Sequence, residues 1–489
     1  MLKTKKIFIF IILIFIILIA GIFLFLKPTK LHAPESVLEN KTNLEKTNPF
    51  GVFPDSNLID GLESAKELGI NNTRLILSWN QFEPTKNKFN FAQADSALNN
   101  HTTAGISPIV TIKSDSAWGS KAGHLGATSS APLDWTAYEN FLKTAVLRYK
   151  DQVKYWQIEN EIYDNSQYWK GTREEYIETL KHAHSIIKQT DPEAKIVLQG
   201  FADMMFIMIN NDDKKIESFL DYIMSNGQYF DVIDFHQYFE PDTIYIDMTV
   251  LRKVMNKYNL SKPIICTEAG GLDLRLFGQQ IQSASNPTIP EVPIIKKLLS
   301  VPSVSNELKN ILKEGVSEKE RIDFGIFLKT DQQARLILEK YQAEDLTKRI
   351  GLTFSQDVQI FNWFSIIDSE KPSEWFFSHL GLIDSNGRKK PHFFTYKILI
   401  EKLKGFNKAE EVSFNPRIIK FSFSDKPPVF IAWNQEPTTV NMEKYFSDKN
   451  IILTHIVTSL DKKNNPVYLP DEIVSPKSIR LDETPILLK

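Results

Sequence analysis

"VKYWQIENEIYD", residues 153–164, sets an apolar, β-prone run directly against Glu159, Asn160 and Glu161. Desolvating a carboxylate at the end of a buried strand is costly unless a partner or a chemical task compensates it. A barrel of parallel strands offers such a place, because its working groups stand at the carboxyl ends of the strands. Alternation puts 159 and 161 on one face and 160 on the other, so Asn160 and Glu161 share a site only if the strand end twists or bulges. Glu159 is then expected as a buried, paired carboxylate inside the barrel.

Outward from this run, short β-branched stretches alternate with amphipathic ones. Strands are predicted at 50–54, 73–79, 107–113, 153–159, 195–200, 231–238, 263–270 and 358–364. Between most of them lie helical patterns such as "AYENFLKTAVLRYK" and "REEYIETLKHAHSIIKQT". Eight strands interleaved with helices indicate parallel βα units. With no nucleotide-binding glycine fingerprint after the first strand, the pattern favours a closed (β/α)8 TIM barrel over an open doubly wound sheet.

The predicted strand ends collect polar and aromatic groups: Trp79 and Glu83 on the second, which also carries Arg74, Asn160 and Glu161 on the fourth, His236 and Tyr238 on the sixth, Glu268 on the seventh, Trp363 on the eighth. Two carboxylates on strands four and seven suit hydrolysis of a glycosidic bond, in which one acid protonates the leaving oxygen and one carboxylate attacks the anomeric carbon. An aldolase would want a Schiff-base lysine or phosphate-binding glycines on the late strands. A catalytically inactive, glycan-binding barrel is the alternative; loss of either carboxylate would mark it, and both are present. His182 and His184 stand two apart on a predicted helix, hence on different faces, and no metal site is expected there.

"RLILSWNQFEPTKNKFNF", "RYKDQVKYWQIENE", "PIICTEAGG" and "FNWFSIID" with "HLGLIDSNGRKKPHFFTYK" together resemble the clan A glycoside hydrolases, retaining (β/α)8 enzymes that include cellulases, mannanases, β-galactosidases and xylosidases. The resemblance covers residues 50–403; the "IENE" form is similar to β-galactosidase families, and the layout resembles family 39. It implies that Glu161 is the general acid/base, Glu268 the nucleophile, and Asn160 a partner of the sugar 2-hydroxyl. Trp363 would floor the cleaved subsite, with Trp79, Trp118 and Trp169 near neighbouring ones. Arg74 and Tyr238 are the natural groups to stabilise charge on Glu268, and His236 orients its neighbours or the substrate. As an acid that must hold its proton, Glu161 is expected in a drier or more anionic setting than Glu268. No cofactor is implied. The histidine that many clan members carry near the end of strand three is replaced here by Lys113, Asp115 and Trp118.

Residues 7–26 are 20 consecutive uncharged residues, enough for one membrane-spanning helix, and Lys3, Lys5 and Lys6 precede them. The expected organisation is a cytoplasmic stub at 1–6, a transmembrane anchor at 7–26, a linker at 27–48 and a barrel at 49–404, with the catalytic part extracytoplasmic. A cleaved signal peptide is the alternative. A long insertion is expected at 271–329, covering one flank of the cleft or packing outside the barrel, before the helix "TDQQARLILEKY". From 405 to 489 short β runs, "NPVYLP" among them, predict a small β-sandwich. The 58 basic and 60 acidic residues nearly cancel, so bulk charge points to no nucleic-acid partner; an oligo- or polysaccharide and the membrane are the partners expected. The single cysteine, Cys266, excludes an intrachain disulfide and reads as a small buried residue.

Overall fold

All eight predicted barrel strands form: β1 (Phe50–Phe53), β2 (Asn72–Ser78), β3 (Ser107–Lys113), β4 (Tyr155–Ile158), β5 (Lys195–Val197), β6 (Ile233–Gln237), β7 (Ile264–Ala269) and β8 (Val358–Phe364). The computed structural model describes residues 48–54, 61–126, 128–164, 166–201, 213–238, 241–271, 332–369 and 379–489. The anchor expected at 7–26, the stub and linker before residue 48, and all but the first residue of the insertion expected at 271–329 lie outside the described residues. Among the described residues no helix is long and apolar enough to cross a membrane.

The strands pair in parallel in the order β5-β4-β3-β2-β1-β8-β7-β6. Bridges Val197↔Val232 and Phe201↔Phe235 join the two outer strands, so the sheet is a nearly closed barrel. The period of two builds its interior in layers. At the amino-terminal end Ile109, Tyr155, Val197, Val232, Ile265 and Ile360 form a separate apolar plug. Two residues further along, Thr111, Gln157, Asp234 and Thr267 form a buried polar layer, and Arg74 is hydrogen-bonded into it. One step higher, at the mouth, lie Lys113, Glu159, His236 and Phe364.

The outer helices are α1 (Leu62–Leu68), α2 (Trp79–Phe82), α3 (Ala92–Thr103), α4 (Trp135–Tyr149), α5 (Arg173–Thr190), α6 (Asp213–Met224), α7 (Ile244–Lys257), α8 (Gln332–Ser355) and α9 (Pro391–Leu403). Their starts are encoded locally. Thr172 opens α5 with a capping box to Glu175, and Asp134 caps α4 at Ala137. On α5, Tyr176, Ile177, Leu180, Ala183 and Ile187 make the buried stripe. Its two histidines leave that stripe separately: His182 stacks on Trp135 and reaches Glu139, and His184 packs edge-on to Tyr229.

The C-terminal segment holds β9 (Lys408–Phe414), β10 (Arg417–Ser422), β11 (Val429–Trp433), β12 (Thr438–Val440), β13 (Ile451–His455), β14 (Glu472–Val474), β15 (Ile479–Leu481) and β16 (Ile486–Leu488). Six of them form an antiparallel sheet in the order β14-β13-β16-β11-β10-β9; β12 and β15 form a two-stranded ribbon. Alternation splits the large sheet between two cores. Ile418, Phe430 and Ala432 pack with Ile479 and Leu481 of the ribbon. Ile419, Phe421, Val429 and Ile431 join the main core of the barrel. Thr395 on α9 also exchanges hydrogen bonds with the Val457 backbone. "NPVYLP" is not a strand: Pro466 and Pro470 supply no ladder N–H, and β14 begins beyond them.

Candidate active site

Glu161 is delivered by backbone conformation rather than by strand alternation. β4 stops at Ile158, and both Glu159 (φ 68°) and Glu161 (φ 45°) adopt the left-handed region. Such residues are strained, at a cost of about 1–3 kcal/mol each, and persist where surrounding structure over-determines them. The double kink is the twist that the alternation demanded: it turns Asn160 and Glu161 to the same mouth. Glu159 stays inside, fully buried, its Oε1 accepting from the Ser114 amide (2.6 Å) and hydroxyl (2.5 Å). Burial pushes its carboxyl up, against the pull of Lys113 and the Ser114 donors.

Glu268 arrives by a second irregularity. Cys266 pairs with Phe235 and Glu268 with His236, so Thr267 is the extra residue of a bulge between them. Thr267 can therefore donate to Asp234 while its neighbour Glu268 also faces the mouth. Arg74 and the Tyr238 hydroxyl each donate to one oxygen of Glu268. Arg74 spends its other amino group on Asn160 Oδ1 at 2.6 Å and its Nε on Thr111 (2.9 Å) and Gln157 (2.7 Å). This fully buried guanidinium thus fixes the nucleophile candidate and the Asn160 amide in one plane of donors.

His236 completes the cluster. Its Nδ1 lies 2.6 Å from Glu161 Oε1 and 3.6 Å from Glu268 Oε2. One oxygen of Glu161, one of Glu268 and a ring nitrogen of His236 lie within 4.8 Å of one another. Burial opposes protonation of the ring, but the charges of Glu268, Asp234 and Glu161 outweigh it and raise His236 to about 10. Arg74 brings a fixed positive charge to Glu268, and protonation of His236 would add a second between the two carboxylates. Arg74, Asn160, Glu161, His236, Tyr238 and Glu268 are therefore brought together as the sequence predicts.

Three expectations are corrected. Trp363 is fully buried outside the barrel, its Nε1 donating to Leu380 O at 2.8 Å beside His392, so it cannot floor a sugar site. The residue turned to the mouth is Phe364, half-buried against Phe53 and Tyr238. Trp79 is likewise fully buried, stacked on Phe141, with its Nε1 on Glu83. The other weaker candidates also spend their indole N–H internally, Trp118 on Glu83 O and Trp169 on Thr172 O. Finally, of the drier or more anionic setting expected for Glu161, the drier one is not found: its side chain is 13% exposed against 9% for Glu268. Asp234, Gln157 and Phe364 were not singled out from sequence, although Asp234 and His236, two apart on one strand, had to share a face.

Beside this cluster Lys113 sits over Tyr168, and Asp115 bonds His124 at 2.7 Å. These groups occupy the strand-three end where the resemblance led to a histidine.

Residues 37–273 match the cellulase model of glycosyl hydrolase family 5, a span that runs through β7. The fold is similar to that of a family 39 glycoside hydrolase from Bacteroides cellulosilyticus WH2 (TM-score 0.59, 14% identity, 91% of this chain and 81% of that one). It is similar also to a monomeric β-xylosidase from Caulobacter crescentus CB15 (TM-score 0.56, 14% identity, 91% and 96%). An α-L-arabinofuranosidase from Thermotoga maritima shares it too (TM-score 0.51, 14% identity, 88% and 89%). By that match, residues 37–273 carry a glycoside hydrolase domain of clan A, and the barrel they help to build is the fold these enzymes share.

Proposed function

We propose that the chain hydrolyses a β-O-glycosidic bond of an oligo- or polysaccharide with retention, Glu268 acting as nucleophile and Glu161 as acid/base. The observation that carries this reading is the spacing of those carboxylates, with oxygens within 4.8 Å. Double displacement uses a separation of about 5–5.5 Å, whereas inversion needs about 6.5–9.5 Å to admit a water. In the first step a Glu268 oxygen bonds the anomeric carbon while Glu161 protonates the departing oxygen. In the second, Glu161 takes a proton from water as that water's oxygen displaces Glu268. Tyr238 and Arg74, one on each oxygen, aim the Glu268 carboxylate and stabilise its charge. Because Asn160 commits its oxygen to Arg74, its NH2 group is the part available to a sugar hydroxyl. Residues 7–26 would hold the enzyme to the membrane with the barrel outside; fractionation of cells making the full chain or a chain lacking 7–26 tests this.

A panel of aryl β-glycosides, with the first-formed anomer followed by NMR, tests the reaction. The expected outcome is a product of the substrate's own configuration. Glu268→Ala and Glu161→Gln should each cut turnover by about 10³-fold or more. Full activity in both variants would overturn the assignment.

A further inference from the structure

His236 has a carboxylate below it as well as above, the lower one at longer range and beside the Thr267 hydroxyl, also 3.4 Å from Nε2. Its Nε2 stands 3.4 Å from Asp234 Oδ2, one layer down in the barrel. Asp234 is fully buried and immobilised by the Thr267 amide (2.9 Å), the Thr267 hydroxyl (2.5 Å) and Gln157 Nε2 (2.6 Å). On the β5 side only glycine fits: a Cβ on Gly200 would fall 2.1 Å from His236 Nε2. The charged groups facing the ring are Glu161 from the end of β4, Asp234 from β6 and Glu268 from β7, and Arg74 and Tyr238 reach Glu268 beyond them. The result is a carboxylate–imidazole–carboxylate line running from the barrel interior to Glu161. Glu161 is the more exposed of the two mouth carboxylates, and the group nearest its Oε1 is His236 Nδ1 at 2.6 Å.

We propose that the proton given to the leaving group is held jointly by Glu161 and His236, and that Asp234 is the positioning residue that sets the pH range over which this pair keeps it. The inference rests on Glu161 being the acid/base. In the resting pair one proton lies between Glu161 Oε1 and His236 Nδ1. It passes to Glu161, and from there to the glycosidic oxygen as that C–O bond breaks, its electron pair staying on the oxygen while a Glu268 oxygen bonds the anomeric carbon. The pair is left as carboxylate and neutral imidazole. In the second half the attacking water gives its proton to Glu161, its oxygen bonds the anomeric carbon, and the ester electron pair returns to Glu268. The proton is again shared with His236. Asp234 stays ionised throughout and supplies the counter-charge for the imidazolium.

A lone glutamic acid tuned for this work loses its proton at about pH 6–7. The pair, with a second carboxylate beneath it, keeps its proton further into the alkaline range. The test is kcat/KM against pH on an unactivated phenyl β-glycoside of the sugar that the panel selects, for wild type and D234N. It is joined by 15N-histidine NMR of the wild type, with the His236 signals assigned by difference from H236Q. The expected result is an alkaline limb above about pH 8 that moves down by about one unit or more in D234N, and an imidazolium with both N–H groups present at about pH 8. A wild-type limb at about pH 6–7 that D234N leaves in place, or a neutral His236 at about pH 7, overturns the proposal. The wild-type spectrum decides by itself should D234N not fold. An unmoved limb with E161Q and E268A both inactive removes only the role of Asp234; activity surviving in E161Q removes the acid/base assignment as well.

Discussion

Asp115 shows how a single carboxyl at the mouth can work against stability. It is buried at the end of β3, and burial pushes it up to about 6, against the hydrogen bond from His124 and with further repulsion from Glu159. Its folded value stands above the ordinary 3.8, so the folded state holds this proton more tightly than the unfolded chain. Asp115 therefore favours folding most below the unfolded value, and that contribution is lost as the pH rises through about 6, the reverse of a salt-bridged aspartate. Asp115→Asn, neutral at every pH, should gain in melting temperature relative to wild type between about pH 4 and about pH 7. A difference that is flat over that range, followed by calorimetry, would refute it. Asp115 and Glu159 are both buried within electrostatic reach of Lys113, which also feels Glu161, so this carboxyl belongs to the charged set behind the mouth.

At the level of single elements, β8 carries the sharpest lesson. "VQIFNWF" is apolar on both parities, so composition alone cannot choose which aromatic faces the sugar. The barrel chooses: Ile360 belongs to the interior plug, hence Phe364 faces the mouth and Trp363 does not. Phe364→Ala should lower kcat/KM by about tenfold or more, the worth of a lost apolar platform. Trp363→Phe, which removes the indole N–H bonded to Leu380, should instead cost about 1–3 kcal/mol of stability with kcat/KM nearly unchanged. Unfolding curves and kinetics on both variants separate the two; the opposite pattern would restore Trp363 as the platform. The strands themselves were legible because parallel, doubly covered strands are apolar runs, and the helices because of their caps and stripes. The pair of acids was legible because each follows such a run. The devices that aim them were not: left-handed φ at Glu159 and Glu161, two residues with no glycine signal, and the bulge at Thr267 arise from tertiary packing that overrides local preference.

Across the whole described molecule, the barrel and the C-terminal sheet share one apolar core. Ile431 of β11 lies against Gly351 on α8, where a Cβ would be 3.5 Å from its Cδ1. Ile431→Asp would bury an unpaired charge in that seam, at an expected cost of about 4 kcal/mol or more. A thermal scan should show the barrel's own unfolding shifted down; a variant that melts like wild type would mean that the sheet is dispensable to the barrel. Polar ties at the same junction, Arg417 to Asp242 and Tyr245 to Glu411, fix orientation rather than add much energy, since both are partly solvated. The sequence betrayed the sheet through its change of period, but not its division of faces, because alternating apolar residues look alike whether they cover a ribbon or a barrel.

The strand order of that sheet carries a consequence for how the protein is made. β16 lies between β13 and β11, so the β13–β14 hairpin is joined to the rest of the sheet through the strand latest in sequence. β9, β10 and β11 can pair and cover α8 as they are made, with Ile419 and Ile431 against Gly351, whereas β11 and β13 gain their common neighbour only with the latest strand. Closure of this half of the sheet therefore waits on Ile486–Leu488, whichever earlier strands are already paired.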